Sequence, residues 1–316
     1  MIEIIFILYL LLIVCIGLLS NRFVSSQLDF LLAGRRLGPW VAAFSERASG
    51  ESAWLILGLP GAAIAIGYGE IWAVIGITLG IISSWFLIAE KLRYETEKYD
   101  ALTVPEYLHK KFNDSSGIIK LSSAIIIGIF FTFYVSAQFH GSGKILNTIF
   151  EIDPLYGITL GAFVIILYTI MGGLLAVAWT DLLQGILMIG TLVILPVVGL
   201  IELSSLETPL SELLMSKDPS KSSLFAGMTG LAALSVAMGG LSWGLGYFGQ
   251  PHLLIRYMAI SSVKEVRKAK WIATMWAIPG ISGAFLIGVV GMGYFGEDFF
   301  IGKDPEIIMP LLAQTL

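Results

Sequence analysis

Eight long apolar segments follow one another along this chain, and they leave few folds open. A helix rises 1.5 Å per residue, so roughly 20 apolar residues cross the ~30 Å hydrocarbon core of a bilayer. Each segment is long enough for that, and we interpret the first one as a transmembrane helix because it lacks the basic start of a signal peptide. The predicted spans are residues 2–20, 38–66, 70–90, 117–147, 155–174, 179–201, 226–249 and 266–296.

The composition also indicates an all-α polytopic membrane protein. Charged residues make up 13% of the 316 residues, against about 25% in globular domains, and the mean hydropathy is +0.85. The net charge of −4 gives no indication of nucleic-acid binding. Cys15 is the single cysteine, which excludes an internal disulfide and a cysteine metal cluster.

Basic residues alternate between the loops and predict the orientation. The loops after spans 1, 3 and 7, together with the adjoining span ends, contain 14 of the 19 Lys and Arg. The loops after spans 2, 4, 6 and 8, counted in the same way, contain four, Lys217 among them. The positive-inside rule then places the N-terminus outside. Arg256, which follows span 7, is interpreted as one of the anchors at the inner surface.

One loop between spans has its own helix signal. In "TVPEYLHKKF", Thr103 is a candidate N-cap and Glu106 follows three residues later, which is the pattern of a capping box. Pro105 falls in the first turn, where its missing N–H is tolerated. We predict a short interfacial helix here.

Two spans contain polar and helix-breaking residues at membrane depth. Span 2 contains "SERASGESAW", with Glu46, Arg47 and Glu51, and a charge at the bilayer centre costs at least ~2.5–3.5 kcal/mol. Span 7 contains "SVAMGGLSWGLGYFGQPH", whose glycines indicate either a break or close helix packing. Many secondary transporters bind their substrate and ion at two interrupted helices, where exposed carbonyls replace the water shell of a cation. We predict unwound gaps near Gly50 and Gly240.

Four segments together resemble the sodium:solute symporter family, and within it the bacterial sodium/proline symporters. They are "LGPWVAAFSERASGESAWLILGLPGA", "ALTVPEYL", "GGLLAVAWTDLLQ" and "SWGLGYFGQPHLLIRYMA", in that order. The resemblance implies a LeuT-type inverted-repeat fold of thirteen spans, of which this single transporter domain, 1–316, would contain about eight. Residues 1–20 would be a leading helix, 38–201 the first five-helix repeat, and 226–316 the start of an incomplete second repeat.

The resemblance implies a sodium site in span 2, formed by the carbonyl of Ala48 and the hydroxyl of Ser52. The family has an aspartate where this chain has Gly50, and the adjacent Glu51 is then the candidate carboxylate. Two alternatives remain open at this point: the coupling has changed, for example to protons, or Glu51 serves only as a helical partner of Arg47.

The resemblance also implies a substrate site rich in aromatic residues. Aromatic faces pack against a pyrrolidine ring and attract its ammonium group, although a packing role is the alternative for Tyr134. Asp181 and Gln184 would couple the ion or organise the inner gate, and the alternative for Asp181 is a first-turn acid at the start of span 6. The implied substrate-binding residues are Tyr134, Trp243, Tyr247, Trp54, Gly58 and Pro251.

The resemblance therefore implies a sodium-coupled symporter that imports proline or a similar small amino acid by alternating access. The alternatives are a symporter for another small solute, or a transporter-like sensor or channel. An enzyme is not expected, because the sequence has no HExxH, P-loop or Ser/His/Asp motif. The expected partners are the solute, Na⁺ as coupling ion without another cofactor, and the lipid of a bacterial cell membrane.

Overall fold

The computed structural model describes residues 2–215 and 218–316, so Lys217 lies outside the described residues. Fourteen α-helices and several short 3₁₀ or π turns make up the described part of the chain, in which no β-strand occurs. The α-helices in chain order are α1 (Ile2–Asn21), α2 (Gln27–Leu32), α3 (Pro39–Ala53), α4 (Leu59–Ile66), α5 (Ile71–Ser84), α6 (Glu90–Lys98), α7 (Val104–Lys111), α8 (Ile118–Phe150), α9 (Pro154–Ser204), α10 (Leu210–Leu213), α11 (Gly230–Gly246), α12 (Pro251–Ala259), α13 (Val263–Phe295) and α14 (Ile308–Thr315).

The apolar helices match the predicted spans once two long helical stretches are divided. Within the described residues, five segments are long and apolar enough to cross a membrane, and α11 with α12 forms a sixth. Pro39–Lys98 has 60 residues and Pro154–Ser204 has 51, which correspond to about 90 and 77 Å of helix, far more than one bilayer. The backbone turns away from helical geometry at Gly67 (φ 78°, ψ −145°) and Gly173 (φ 54°, ψ −148°). Division at these glycines gives the eight predicted spans.

Both turning points require glycine. A positive φ strains residues that have a Cβ, and glycine adopts it freely. A Cβ on Gly67 would lie 2.1 Å from the carbonyl oxygen of Lys221, and one on Gly173 would lie 2.5 Å from that of Phe30. The chain therefore turns where glycine permits both the dihedral angle and the close approach of another backbone.

One compact unit consists of Met1–Gly50, Ser83–Ile186 and Gly249–Thr274. Its leading helix α1 packs on the first half of α9, where Ile13, Val164, Tyr168 and Ala176 form a buried cluster. Gly17 lets this contact close, because its Cβ would lie 2.7 Å from the Cβ of Tyr168. The predicted leading helix is thus a packed part of this unit.

The other compact unit consists of Glu51–Ile82, Leu187–Phe248 and Met275–Leu316. A buried cluster of Ile64, Met292, Phe300 and Ile308 joins α4, α13 and the chain around α14. The chain passes between the two units five times. Two of these passages, at 50/51 and at 248/249, fall in the polar segments of spans 2 and 7.

The predicted short helix is confirmed as α7. The Thr103 side chain caps it by accepting the Glu106 N–H at 3.2 Å. The Glu106 carboxylate reaches back to the N–H of Leu102 at 2.8 Å, one residue earlier than a standard capping box.

Candidate functional site

The first predicted gap is confirmed, and it centres on Ser52. This residue has φ 53° and ψ −161°, well outside helical geometry, and a π-helical turn, Trp54–Gly58, follows. The Ser52 hydroxyl accepts the Trp54 N–H at 3.4 Å. Gly58 is needed beside this turn, because a Cβ there would lie 2.7 Å from the indole ring of Trp54. Span 2 is therefore interrupted just after its charged residues.

Gly50 lies inside the helical part that precedes the gap. A Cβ at this position would lie 3.0 Å from a Leu253 methyl carbon and 3.5 Å from Nη2 of Arg47. A side chain at this position would therefore require a small shift of the Leu253 methyl group.

The second predicted gap exists, but its predicted position near Gly240 is wrong. Gly240 lies within the continuous helix α11, which ends at Gly246, and α12 begins at Pro251. The interruption is therefore residues 247–250. Proline suits the first turn of α12 because the N–H that it lacks has no partner there in any helix.

The glycines of span 7 serve close helix packing instead. A Cβ on Gly240 would lie 2.7 Å from the backbone nitrogen of Ala73, and one on Gly244 would lie 2.3 Å from the carbonyl oxygen of Gly76. A Cβ on Gly80 would likewise lie 2.3 Å from the Gly244 carbonyl oxygen. Small residues four apart on α5 and α11 thus bring the two backbones into contact. The packing alternative is the correct interpretation for these glycines.

A buried polar cluster in the first unit surrounds Asp181. Its Oδ2 accepts the hydroxyls of Ser45 at 2.6 Å and Ser49 at 3.1 Å, and it pairs with Nη2 of Arg256 at 3.2 Å. Arg256 also donates to Ser45 Oγ at 3.1 Å and to Ser49 Oγ at 2.7 Å. The two charges, both buried, and the two hydroxyls thus satisfy one another.

This cluster corrects two interpretations. Arg256 is 6% exposed and bound within the cluster, so its assignment as an anchor at the membrane surface is wrong. The first-turn alternative for Asp181 is also wrong, because Asp181 lies eight residues beyond the break at Gly173. Sequence analysis missed Arg256, Ser45 and Ser49 as members of one cluster. The available signal was an acidic residue inside span 6 and a basic residue shortly after span 7.

A second buried cluster contains two of the three charges of span 2, Glu46 and Arg47. Glu46 and Arg47 are fully buried and pair through two contacts, of which Nε to Oε2 is 2.6 Å. Glu46 also accepts the indole N–H of Trp85 at 2.8 Å and the hydroxyl of Tyr257 at 3.3 Å. Ser84 lies 3.1 Å from that hydroxyl. The cost of burying these charges is thus offset by direct pairing and hydrogen bonds.

Two predicted substrate residues, Tyr134 and Pro251, lie in the first unit. The Tyr134 hydroxyl donates to the carbonyl oxygen of Ser49 at 3.0 Å, and its ring lies 5.2 Å from that of His252. Pro251 begins α12 directly before His252. This hydroxyl contact is compatible both with a substrate role for Tyr134 and with the packing alternative, so the role of Tyr134 stays a prediction.

The other predicted substrate residues lie in the second unit. The indoles of Trp54 and Trp243 stack with centroids 5.0 Å apart, and Trp243 remains 51% exposed. Tyr247 is buried, and its hydroxyl donates to Glu51 Oε2 at 3.3 Å. Two side-chain contacts therefore join the end of α11 to residues on either side of the first gap, Glu51 before it and Trp54 after it.

Two further predicted site residues, Ala48 and Gln184, lie in different surroundings. Ala48 is a buried residue of α3, four residues before Ser52. Gln184 donates to the hydroxyl of Tyr9 on α1 at 2.6 Å. Its side-chain partner is thus the leading helix, unlike that of Asp181. Within the described residues, no group of three or more His, Cys, Asp or Glu side chains could hold a metal ion.

The chain matches the family model of the sodium:solute symporter family over residues 30–316. It is 39% identical over 302 residues to a Bacillus subtilis (strain 168) protein named high-affinity proline transporter PutP, and this match covers 95% of the chain and 63% of that protein. It is 37% identical to sodium/proline symporter 2 of Staphylococcus saprophyticus, with 91% of the chain and 55% of that protein covered. The chain thus spans about three fifths of the length of the relatives it matches.

One solved structure shows the same fold. It is the substrate-bound, outward-open state of a Na⁺-coupled sialic acid symporter, and it matches with a TM-score of 0.79 at 20% identity. The match covers 96% of the chain and 64% of that structure. The predicted class, an all-α membrane protein with a LeuT-type transporter fold, is therefore confirmed.

Proposed function

Because the chain belongs to the sodium:solute symporter family, we propose that it acts in a secondary transporter that imports proline or a similar small amino acid together with Na⁺. The names of the similar Bacillus and Staphylococcus proteins support proline as the solute. We place the protein in a bacterial cell membrane with its N-terminus outside, as the distribution of basic residues predicts. It is a transporter and not an enzyme in this proposal.

The observation that carries the proposal is the interruption of spans 2 and 7 beside aromatic side chains. An interrupted helix inside a bilayer is kept only where the freed backbone groups meet protein, water or a ligand. The stacked pair Trp54 and Trp243 offers an indole face that remains half exposed. Such faces attract an ammonium group by ~0.5–2 kcal/mol each.

We assign the substrate to the aromatic residues and to the small or rigid residues beside the gaps. Tyr134, Trp243 and Tyr247 supply ring faces and hydroxyls. Trp54 holds Trp243 in place, and Gly58 leaves room for the Trp54 ring. Pro251 fixes the start of α12, whose first N–H groups suit a carboxylate.

We assign Na⁺ to the residues around the first gap. The proposed ligands are the Ala48 carbonyl, the Ser52 hydroxyl and the Glu51 carboxylate, and oxygen is the donor that hard cations prefer. Glu51 is 1% exposed and bonded to Tyr247. That contact connects the proposed ion ligand to a proposed substrate residue. Asp181 and Gln184 are the proposed coupling or gate residues.

Equilibrium binding of labelled proline to the purified full-length protein, at a series of Na⁺ concentrations, tests this proposal. We expect proline affinity to rise with Na⁺. Glu51→Gln should raise the Na⁺ concentration needed for half-maximal binding, and Glu265→Gln, on the exposed start of α13, should not. Proline binding that is independent of Na⁺ would contradict the coupling. An unchanged Na⁺ requirement in Glu51→Gln would remove Glu51 from the site.

A further inference from the structure

A cavity of about 460 Å³ lies between α1 and the part of α9 that follows the break at Gly173. None of the residues proposed above for the solute or the ion lines it. The two helices touch beside it, because a Cβ on Gly172 would lie 2.8 Å from the Cβ of Ser20. Apart from Ser20 and Arg36, the lining side chains are apolar or aromatic. Such a lining indicates a ligand with a long apolar part and a charged part.

The cavity lies at the end of span 1 that is predicted to face the cytoplasm, and it opens toward lipid. Leu19 and Phe23 line it and are more than half exposed, as apolar side chains are where they contact acyl chains. Trp179 lines it from α9 and is half exposed as well. Tryptophan is enriched where the hydrocarbon core of a bilayer meets the headgroups. The cavity is therefore placed at the depth where acyl chains join their phosphate groups.

Arg36 is held at this cavity with part of its guanidinium unused. The side chain is 56% exposed, and its Nη2 pairs with Asp29 Oδ1 at 2.7 Å and donates to the Phe23 carbonyl at 3.3 Å. Its Nε donates to the Ala33 carbonyl at 3.5 Å. Its Nη1 forms no hydrogen bond to any residue that the structure describes. The protein thus orients the guanidinium and leaves the N–H groups of Nη1 for a ligand.

The surroundings of Arg36 add a second donor and further positive charge. The indole N–H of Trp179 can only donate, and it has no acceptor within the described part of the chain. Residues 21–36 contain three arginines and one aspartate, so this segment has a net charge of +2. The side chain of Arg22, next to Phe23, forms no ion pair with a described residue. A ligand that fits these groups has acceptor oxygens and a negative charge.

We propose that the cavity binds one anionic phospholipid of the inner leaflet. Its phosphate oxygens accept from Arg36 Nη1 and Trp179 Nε1, and an acyl chain packs between Leu19 and Leu175. A small soluble anion would leave the apolar walls uncovered, and a zwitterionic lipid would bring its ammonium group beside the positive segment 21–36. Arginine matches the geometry of a phosphate, and basic pockets between transmembrane helices on the cytoplasmic side bind anionic headgroups.

Photo-crosslinking of the full-length protein tests this assignment. The protein is reconstituted in phosphatidylcholine vesicles with a trace of phosphatidylglycerol that has a diazirine in one acyl chain, and the labelled peptides are mapped. We expect labelling to be concentrated at residues 16–23 and 175–179. Unlabelled phosphatidylglycerol should displace it, whereas the same amount of phosphatidylethanolamine should not.

Two variants separate the charge from the cavity. Arg36→Gln should reduce the labelling at these residues about five-fold, because one basic contact to the anionic lipid is lost. Leu175→Trp should reduce it as well, since the larger side chain fills the cavity while Arg36 is retained. Arg267→Gln is the control: Arg267 is likewise exposed and paired with an acid, Glu90 at 3.0 Å, but it does not line the cavity. Unfolding temperatures show that each variant is folded.

The results that would overturn the inference are equally specific. Labelling spread evenly over the lipid-facing helices, or equal displacement by phosphatidylethanolamine, would show ordinary boundary lipid without a site. Wild-type labelling in folded Arg36→Gln or Leu175→Trp would do the same. Because the measurement reads lipid contact and not transport, it tests this inference independently of the proposed function.

Discussion

Charged residues inside the first unit are matched in pairs at the level of single side chains. Glu46 pairs with its neighbour Arg47, and Asp181 pairs with Arg256 from a different span. Removing one member of a buried pair is far more costly than replacing both, because the remaining charge stays buried. These pairs therefore explain how charges persist at a depth where each alone is expelled.

The pair of Asp181 and Arg256 gives a stability prediction. Asp181→Asn should destabilise the protein by about 3–5 kcal/mol, because Arg256 is left buried with a neutral partner. The pair of Lys268 and Glu265, which is partly exposed, provides the control, since Glu265→Gln should cost at most ~1 kcal/mol. Thermal unfolding of the purified variants measures both effects. Equal losses in the two variants would show that the Asp181 pair is not a buried one.

Asp114, in the loop before α8, gives a pH prediction. The Ser116 hydroxyl at 2.6 Å and the Ile119 N–H at 2.8 Å lower the pKa of Asp114 to about 2. A lowered folded-state pKa adds stability above the ordinary value of 3.8, and that contribution is lost as the pH falls toward 2. Amide exchange at the start of α8 should therefore lose protection over this window. The window should be absent in Asp114→Asn, and the same pH profile in both proteins would contradict the assignment.

The buried pair of Asp181 and Arg256 was predictable from the sequence only in part. Asp181 stood out as a charge within an apolar segment, and its burial follows. Its partner Arg256 is 75 residues away along the chain, and its place just after span 7 suggested a surface anchor. Pairing over such a distance depends on tertiary packing, which periodicity and hydropathy do not contain. The roles proposed for the substrate and ion residues stay predictions.

At the scale of elements, glycine has two structural roles: it ends helices, or it allows two helices to pack closely. The sequence alone does not show which role a given glycine has. Gly67 and Gly173 end helices with a positive φ, whereas Gly76 and Gly244 lie inside helices whose backbones touch. The break in span 2 was predicted near Gly50 from the charges and the helix-breaking residues of that segment, and it lies two residues further on, at Ser52. The break in span 7 lies at 247–250 because Pro251 begins a new helix after it. The prediction near Gly240 was wrong because it took the glycine-rich run upstream as the sign of the break.

The contact between α5 and α11 can be tested with a matched pair of glycines. Gly244→Ala should destabilise the protein by about 1–3 kcal/mol, because its Cβ would lie 2.3 Å from the Gly76 carbonyl oxygen. Gly239→Ala, in the same helix with no atom within 4 Å of the added Cβ, should stabilise it by up to ~1 kcal/mol. The unfolding temperatures of the two variants, each compared with wild type, test this prediction. A stabilised Gly244→Ala would contradict the close packing.

The aromatic pair at the end of α11 carries the next prediction. Trp243→Ala should raise the half-saturating proline concentration about ten-fold, because it removes an exposed indole face that attracts the ammonium group. Trp40→Ala is the control, since Trp40 is 61% exposed and likewise contacts one aromatic ring, that of Phe44. Both variants should be produced at wild-type levels. An unchanged half-saturation in Trp243→Ala would place the solute elsewhere.

At the scale of the whole molecule, the order of spans and their orientation are separate claims. The eight spans follow from the apolar pattern and agree with the helices once the glycine breaks are included. The N-terminus-out orientation and the division into two repeats stay predictions. The first depends on the distribution of basic residues, which acts during membrane insertion and leaves no mark on the folded contacts.

Cysteine labelling tests the orientation. In a Cys15→Ala background, Thr208→Cys lies in a loop predicted outside and Ser115→Cys in one predicted inside, and both positions are exposed. A membrane-impermeant maleimide added to intact cells should label Thr208→Cys and leave Ser115→Cys unmodified. After permeabilisation both should react, which controls for accessibility. The opposite pattern in intact cells would invert the topology.

Uptake by the full-length protein in proteoliposomes tests the central claim most directly, because only a coupled transporter moves a solute against its gradient. Labelled proline is supplied outside, and an inward Na⁺ gradient is imposed. The account predicts that internal proline rises above the external concentration, and that this accumulation disappears when an ionophore dissipates the gradient. Uptake that only equilibrates, or that proceeds equally well without Na⁺, would contradict it.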